Sequence, residues 1–441
     1  MSNISRLVNL AAAGAGGSAY WAALLGGADN DLFRSVAVDS SNNIIASGYT
    51  SSDGAGSNDA LVAKYDASGS TVWSKTLGGT SYDFYYSVCL DSSDNIYTAG
   101  TSNRTTVGND GLLSKYNSSG TLLWSVFFGG SATDQFHGVT VDSANNVIVV
   151  GNSFSNGFGS SDVIIVKYNS SGTLLWNVNV GGSGPDYGRS VAVDSSDNII
   201  AVGFSNTNSA GGFDLFITKI SSSGAMVWNK NLGGSFSDRA FSVAVDSSDN
   251  IIAVGLAATG SSLADNDALV VKYNSSGTLL WSKSLGGAGD DAFNAVALDS
   301  SDDIICAGYT KSSGAGLSDA LLAKYDSSGT FLWSRVFGGT GDEVGNGVAL
   351  DANGSIIFAG ITDSGGAGID DGMLAKVPSD GSGTGVYGPF TYQNVTLTNT
   401  SVALTTTPNP SARNSPSYTA QSATLTDATA VLTEAFYEIT P

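Results

Sequence analysis

Histidine occurs once, at His137, and cysteine only twice, at Cys89 and Cys306, in a chain of 441 residues. So small a supply leaves no Cys/His spacing for a zinc site and no Ser-His-Asp or Cys-His set of any specificity. Charge is thin as well: 13% of residues are charged, and 18 basic against 39 acidic ones give a net charge of −21. A nucleic-acid duplex or an anionic membrane surface is repelled by that balance, so neither is expected as a partner. No run of 18 apolar residues occurs, and no helical membrane span is expected. The opening stretch, MSNISRLVNLAAAGAGG, faintly imitates a secretion signal, but Asn9 breaks its apolar part. It is read as a native arm over residues 1–17.

What the chain does have is glycine (57 residues), many small polar residues and 41% apolar residues, which suits short strands joined by tight turns. Its seven tryptophans stand at 21, 73, 124, 176, 228, 281 and 333, with gaps of 51 to 53 residues. An even period of that length means one supersecondary unit repeated around an architecture. In the unit that starts at Ser242, the strand SVAVD is followed by the turn SSDN and the apolar strand IIAVG. A longer loop leads to DALVVKY, the turn NSSG and the tryptophan strand TLLWSKSL. Asp and Asn bond to their own backbone and tolerate left-handed dihedrals, and Gly277 takes a positive φ freely. Four antiparallel strands in meander order make one propeller blade. Trp281 and Leu285 share a face of the fourth strand, so the indole is expected to pack between blades. Lys283, matched by Lys75, Lys230 and Arg335, is placed to guard an outer edge against pairing with another chain.

The ends close the count. The last repeat has three strands (347–350, 356–360 and 373–377) and no tryptophan strand, whereas Tyr20–Leu25 is a tryptophan strand without its three. Together they predict an all-β, seven-bladed β-propeller of four-stranded antiparallel blades over 18–380, closed by the N-terminal strand. Cys89 and Cys306 align with core alanines of the second and sixth units, farther apart than the roughly 7 Å a disulfide spans. They are read as free thiols. The run VAVDSSDNIIAVG followed by DALVVKYNSSGTLLWSKSLGG resembles the SBBP repeats, a β-propeller repeat family, across about residues 18–380. That resemblance implies a propeller module of the kind carried by secreted, surface or particle-associated proteins, and implies no chemistry.

Acidic residues recur in three sets. One follows each Gly-Gly (Asp31, Asp83, Asp134, Asp186, Asp238, Asp291, Glu343). One ends the first strand (Asp39, Asp91, Asp142, Asp194, Asp246, Asp299, Asp351) and one starts the third, from Asp59 to Asp371. Lysines recur in the third strand, from Lys64 to Lys376. Seven calcium sites are one reading. Calcium loops need several oxygens close together, and D-S-S-D-N lacks that spacing. Turn initiation with a Lys–Asp pair in each blade is favoured, and neither metal nor cofactor is assigned.

Function belongs where the repeats differ. The D-S-S-D-N and N-S-S-G turns crowd one face and hardly vary. The Gly-Gly loops and the loops between second and third strands lie on the other and vary strongly. There the position before the first strand reads Arg34, Tyr86, His137, Arg189, Phe241, Asn294, Asn346. Nearby stand the run Tyr82–Tyr86 and the loop residues Phe154, Phe158, Phe204 and Phe213. Exposed rings beside polar groups suit sugars. The candidate ligand-binding residues are therefore Tyr82, Tyr85, Tyr86, His137, Arg189, Phe154, Phe158 and Phe213, against the plainer alternative that such rings fill space between blades. No catalytic set emerges, and the chain is expected not to be an enzyme.

After a Ser/Gly linker, residues 381–441 turn rich in Thr, Ser, Ala and Pro, with strand-like patterning over 396–404 and an apolar run over 430–439. So short a segment is expected to form β-structure docked on a partner or on the propeller. An arm at each end suggests capture in an assembly by other structural proteins of the same particle. The expectation is a virion structural protein, such as a phage tail or capsid appendage, displaying the propeller as an adhesin toward a cell-surface glycan. A secreted or surface bacterial lectin is the second reading, and a polysaccharide-acting enzyme the third.

Overall fold

The computed structural model describes residues 20–438 apart from 106–107, 156, 210, 259–265, 367–368, 403, 409–411, 415–418, 423–425 and 430–432. The arm expected over 1–17 lies outside the described residues. All regular structure among the described residues is β, arranged as a seven-bladed β-propeller. The chain groups into two units, Met1–Tyr85 with Ala297–Leu397 and Leu425–Pro441, and Tyr86–Val296 with Thr398–Thr424.

In the first unit, blade one is Asp31–Val38, Ile44–Thr50, Asp59–Tyr65 and Thr71–Gly78. Blade seven joins Glu343–Leu350, Ile356–Thr362 and Asp371–Val377 to the N-terminal strand Trp21–Gly26. That strand runs antiparallel to the third, with Trp21 opposite Lys376 and Leu25 opposite Gly372, so the expected closure is what the chain builds. The apolar core lies between consecutive blades: Trp21, Leu374 and Ile357 of blade seven pack with Phe33, Ala46 and Tyr65 of blade one. In the second unit the same arrangement recurs, with Val163 and Ile165 of blade three against Ile199 and Phe216 of blade four.

The recurring polar residues clip several blades to the next. Lys167 pairs with Asp142 of its own blade at 2.8 Å and also donates to the Ser222 carbonyl in the N-S-S-G-type turn of the following blade at 3.3 Å. Trp176 Nε1 donates to that same carbonyl at 3.3 Å. Lys115 and Trp124 do likewise at Ser170, and Lys219 and Trp228 at Ser275. Trp21 donates to the Ala67 carbonyl of blade one at 3.4 Å. Most of the tryptophans are half-buried wedges; Trp21 is wholly buried. Both cysteines are free, as expected from their separation.

The Gly-Gly pairs have a steric and a hydrogen-bonding reason. A Cβ on Gly181 would stand 1.8 Å from Oδ1 of Asp162, and one on Gly78 would stand 1.8 Å from Oδ1 of Asp59. The second glycine donates its N–H to the acid four residues on: Gly182 to Asp186 at 2.9 Å, Gly130 to Asp134 at 2.8 Å, Gly339 to Glu343 at 2.6 Å. The acids that end the first strand accept from their own turn, as Asp142 does from Ala144 and Asn146 N–H. Asn145 at the turn sits at φ 59°. The turn reading of these carboxylates is therefore realised.

The C-terminal residues do more than dock. Except for Gly385–Tyr387, which pairs with Phe390–Asn394 as a sixth strand on blade six, each short strand of the tail adds a fifth, antiparallel strand to one blade. In the first unit, Phe390–Asn394 pairs with the fourth strand of blade six, Thr426–Thr429 with that of blade one, and Thr433–Glu438 with the N-terminal strand of blade seven. In the second unit, Thr398–Ser401 joins blade five, Thr405–Pro408 blade four, Ala412–Asn414 blade three and Thr419–Ser422 blade two. The first Gly of each Gly-Gly faces the start of each segment: Gly338 faces Thr391, Gly286 Thr398, Gly233 Thr405, Gly181 Ala412, Gly129 Thr419, Gly78 Thr426 and Gly26 Thr433. Those seven tail positions are spaced by seven residues throughout. The edge expected to be guarded by Lys75, Lys230, Lys283 and Arg335 is thus occupied by the chain itself. Lys283 donates to Ser401 Oγ at 2.8 Å instead of standing against a partner.

Candidate functional site

The variable positions of the first strand have a common geometry. Arg34, His137, Arg189, Phe241 and Asn346 each stand at a one-residue bulge against the second strand. A bulge leaves its residue out of the ladder and re-aims its side chain, which frees that position to differ from blade to blade.

In the second unit the structure gathers several of these side chains. Tyr86 meets the His137 ring at 5.0 Å between centroids. His137 Nε2 lies 2.8 Å from Asn152 Oδ1. Arg189 Nη1 lies 3.0 Å from that same Nε2 and 3.3 Å from Nδ1. The Arg189 guanidinium packs over Phe204 at 5.0 Å and Tyr187 at 5.9 Å. Arg239 packs over the same Phe204 at 5.1 Å and over Phe213 at 5.5 Å. Phe204 and Phe213 meet edge to face at 5.2 Å, and exposed Phe154 touches Tyr187 at 6.5 Å. Burial and then the neighbouring Arg239 charge lower the Arg189 pKa.

The remaining candidates are elsewhere. Tyr85 is fully buried and cannot face a ligand: neighbours along a strand point to opposite sides, so its adjacency to Tyr86 misplaced it. Tyr82, in the first unit, is exposed and stacks on Phe84, which meets Tyr49 edge-on at 4.7 Å. Phe158 is exposed on its loop, its N–H held by Asp162. Tyr187 and Arg239 were not singled out from the sequence. They occupy the position after the Gly-Gly acid, which reads Leu32, Phe84, Gln135, Tyr187, Arg239, Ala292, Val344 and varies as strongly as the bulge.

The acids beneath this face are buried, and several are shifted. Burial, opposed by the Phe158 and Gly159 N–H groups and helped by Asp186, pushes Asp162 up to about 6. Burial, opposed by the Gly234 N–H and helped by Asp214, does the same to Asp238. Asp142 goes the other way: burial raises it, but hydrogen bonds from Lys167 and Asn146 outweigh that and hold it below the usual range. These carboxylates serve loops and blade junctions. On the opposite, uniform face a different feature repeats: the residue before the tryptophan, Val72, Leu123, Leu175, Val227, Leu280 and Leu332, is 47–54% exposed in six blades.

Comparison with known proteins adds to the fold. A family model described as outer membrane protein assembly factor BamB matches residues 58–255, under half of the chain. An uncharacterized WD repeat-containing protein of Acanthamoeba polyphaga mimivirus is 22% identical, over 77% of this chain and 36% of its own length. The chain thus spans about a third of that relative. Among solved structures, an ulvan lyase described as a polysaccharide lyase is 11% identical, covering 81% of this chain and 96% of that one, with a TM-score of 0.48. Sqt1 from Chaetomium thermophilum is 12% identical over 77% of this chain and 82% of that one, with a TM-score of 0.45. Likeness at this level carries nothing about function.

Proposed function

We propose that this chain is a non-enzymatic display protein, a propeller of SBBP type whose variable face contacts surface glycans and whose uniform face is turned toward the particle or surface that carries it. The carrying observation is the aromatic and cationic cluster on the variable face: Phe154, Phe213 and Tyr187 offer ring faces for the C–H side of a sugar, beside Arg189, His137 and Asn152 for its hydroxyls. The uniform face supports the other half, since a half-exposed Val or Leu in six blades is surface suited to burial against a carrier. The fifth strands leave the outer edge of the tail, with the N-terminal arm, as further contacts. A virion or cell surface is the proposed location. The mimivirus relative is in keeping with a viral origin.

A glycan array probed with the purified full chain and with Phe213→Ala tests the face. Binding to one glycan class, lost in the variant, is expected. Binding to no glycan overturns the reading, and turnover of a bound glycan replaces it with an enzyme. Antibody to the chain is expected to label intact particles or cells; labelling of secreted free protein alone selects the lectin reading.

A further inference from the structure

This inference rests on the glycan reading above and names the class of sugar. The chain carries 39 acidic residues against 18 basic ones, and its buried lysines are held by carboxylates, as Lys167 is by Asp142 at 2.8 Å and Lys272 by Asp246 at 2.9 Å. Against that background, Arg189 and Arg239 are exceptions. Among the described residues neither forms an ion pair. Arg189 has the His137 ring as its hydrogen-bond partner, and the ionisable groups acting on it are Tyr86, Tyr187 and Arg239, with no carboxylate among them. Arg239 keeps a buried Nε–H with no acceptor.

Both guanidiniums lie against one ring, Phe204, at 5.0 and 5.1 Å, so their central carbons stand at most about 10 Å apart, the two distances laid end to end. Two cations held together at a half-buried site repel each other, and a buried donor without an acceptor is costly. An anion beside the two guanidiniums removes the repulsion. The acids adjacent in sequence do not supply it: Asp186 and Asp238 are buried beneath the face and accept from Gly182 and Gly234 N–H at 2.9 and 2.8 Å.

We propose that Arg189 and Arg239 form a site for the anionic substituent, carboxylate or sulfate, of an acidic sugar whose ring lies on Phe213, Tyr187 and Phe154. Arginine suits either group, because its planar fork matches two oxygens at once and stacks on aromatic faces. The net charge of the chain does not forbid this. Salt at physiological strength screens exposed charges beyond about 8 Å, so the local pair outweighs the distant acids.

The test is calorimetric titration of the full chain with two matched probe pairs: tetragalacturonate with its methyl ester, and a sulfated oligosaccharide with its desulfated form. Preference of about tenfold or more for the charged member of a pair is expected, and it should weaken as salt is raised. Which pair shows it tells carboxylate from sulfate. Arg239→Gln should remove that preference while leaving the neutral member bound as before, and Lys311→Gln, on an exposed loop, should change nothing. Arg189→Lys keeps the charge beside His137 and should lose most of the preference through the lost fork; circular dichroism checks that each variant is folded. Equal binding of charged and neutral members overturns this inference and leaves the glycan reading standing. Binding of none overturns both.

Discussion

Replacing Trp21 with alanine probes how the propeller is closed, and its cost follows from position. Trp21 is wholly buried, packs with Phe33, Tyr65 and Leu374, and donates its indole N–H to the Ala67 carbonyl at 3.4 Å. About 200 Å² of indole removed from water is worth roughly 5 kcal/mol, and buried tryptophan truncations cost about 3–5 kcal/mol. Trp176 makes the equivalent bond, to Ser222 at 3.3 Å, but is only half-buried. Trp176→Ala should therefore cost less, roughly 3 kcal/mol at the most. Guanidinium unfolding followed by far-ultraviolet circular dichroism avoids the loss of fluorescence signal and compares the two directly. Trp21→Ala costing no more than Trp176→Ala would refute the closure argument, because an N-terminal strand that merely decorates a finished propeller has no reason to carry its most buried wedge.

Other outcomes follow from the same geometry. Lys167→Met leaves Asp142 buried without its cation and should cost about 3–5 kcal/mol in chemical denaturation, whereas the double change with Asp142→Asn should recover part of it. Gly181→Ala places a Cβ against Asp162 Oδ1 and should lower the melting temperature by several degrees, and Asp162→Ala in the same chain should relieve the clash. Truncation before Thr433 uncovers the strand Trp21–Gly26 and should lower the melting temperature; an unchanged melt would mean that the fifth strand of blade seven contributes nothing. Stability should also peak in mild acid. Asp162 and Asp238 titrate near 6 when folded and near 4 when unfolded, so the folded state binds more protons in between and stability rises as pH falls from 8 toward 5, by about 1 kcal/mol for each after screening. Asp142 and Asp246 are held below their ordinary range, so their contribution is lost as pH falls below about 4. A melting temperature rising steadily from pH 5 to 8 would contradict the assignment.

Much of this was readable before the structure. The tryptophan period gave the blade, and the phase of Trp21 gave the closure, because a strand lacking its three partners must complete a repeat that lacks its fourth. The Gly-Gly pairs were legible as turns, but not the reason for them, which lies in the carboxylates of Asp59 and Asp162 from a different strand. The tail is readable as β docked on a partner or on the propeller, but not as one added strand for every blade. Its Thr391, Thr398, Thr405, Thr419, Thr426 and Thr433 repeat every seven residues, a signal present in the sequence. Strands of three to six residues bury no continuous apolar face, so hydrophobic patterning does not reveal them. At the candidate site, variability between repeats found Tyr86, His137 and Arg189. Tyr187 and Arg239 escape that signal because two variable columns alternate around the bulge, and Tyr85 fails it because neighbours in sequence need not share a face.

The chain pairs its tail with its own blades, and the variable face is the surface proposed for contact with a glycan. Amide hydrogen exchange of the purified full chain, resolved along residues 388–441, tests that pairing most directly. Protection should recur every seven residues, over 391–394, 398–401, 405–408, 412–414, 419–422, 426–429 and 433–438, matched by protection of the fourth strand in each blade. Uniform exchange of the whole tail at the rate of an unpaired chain would contradict the account.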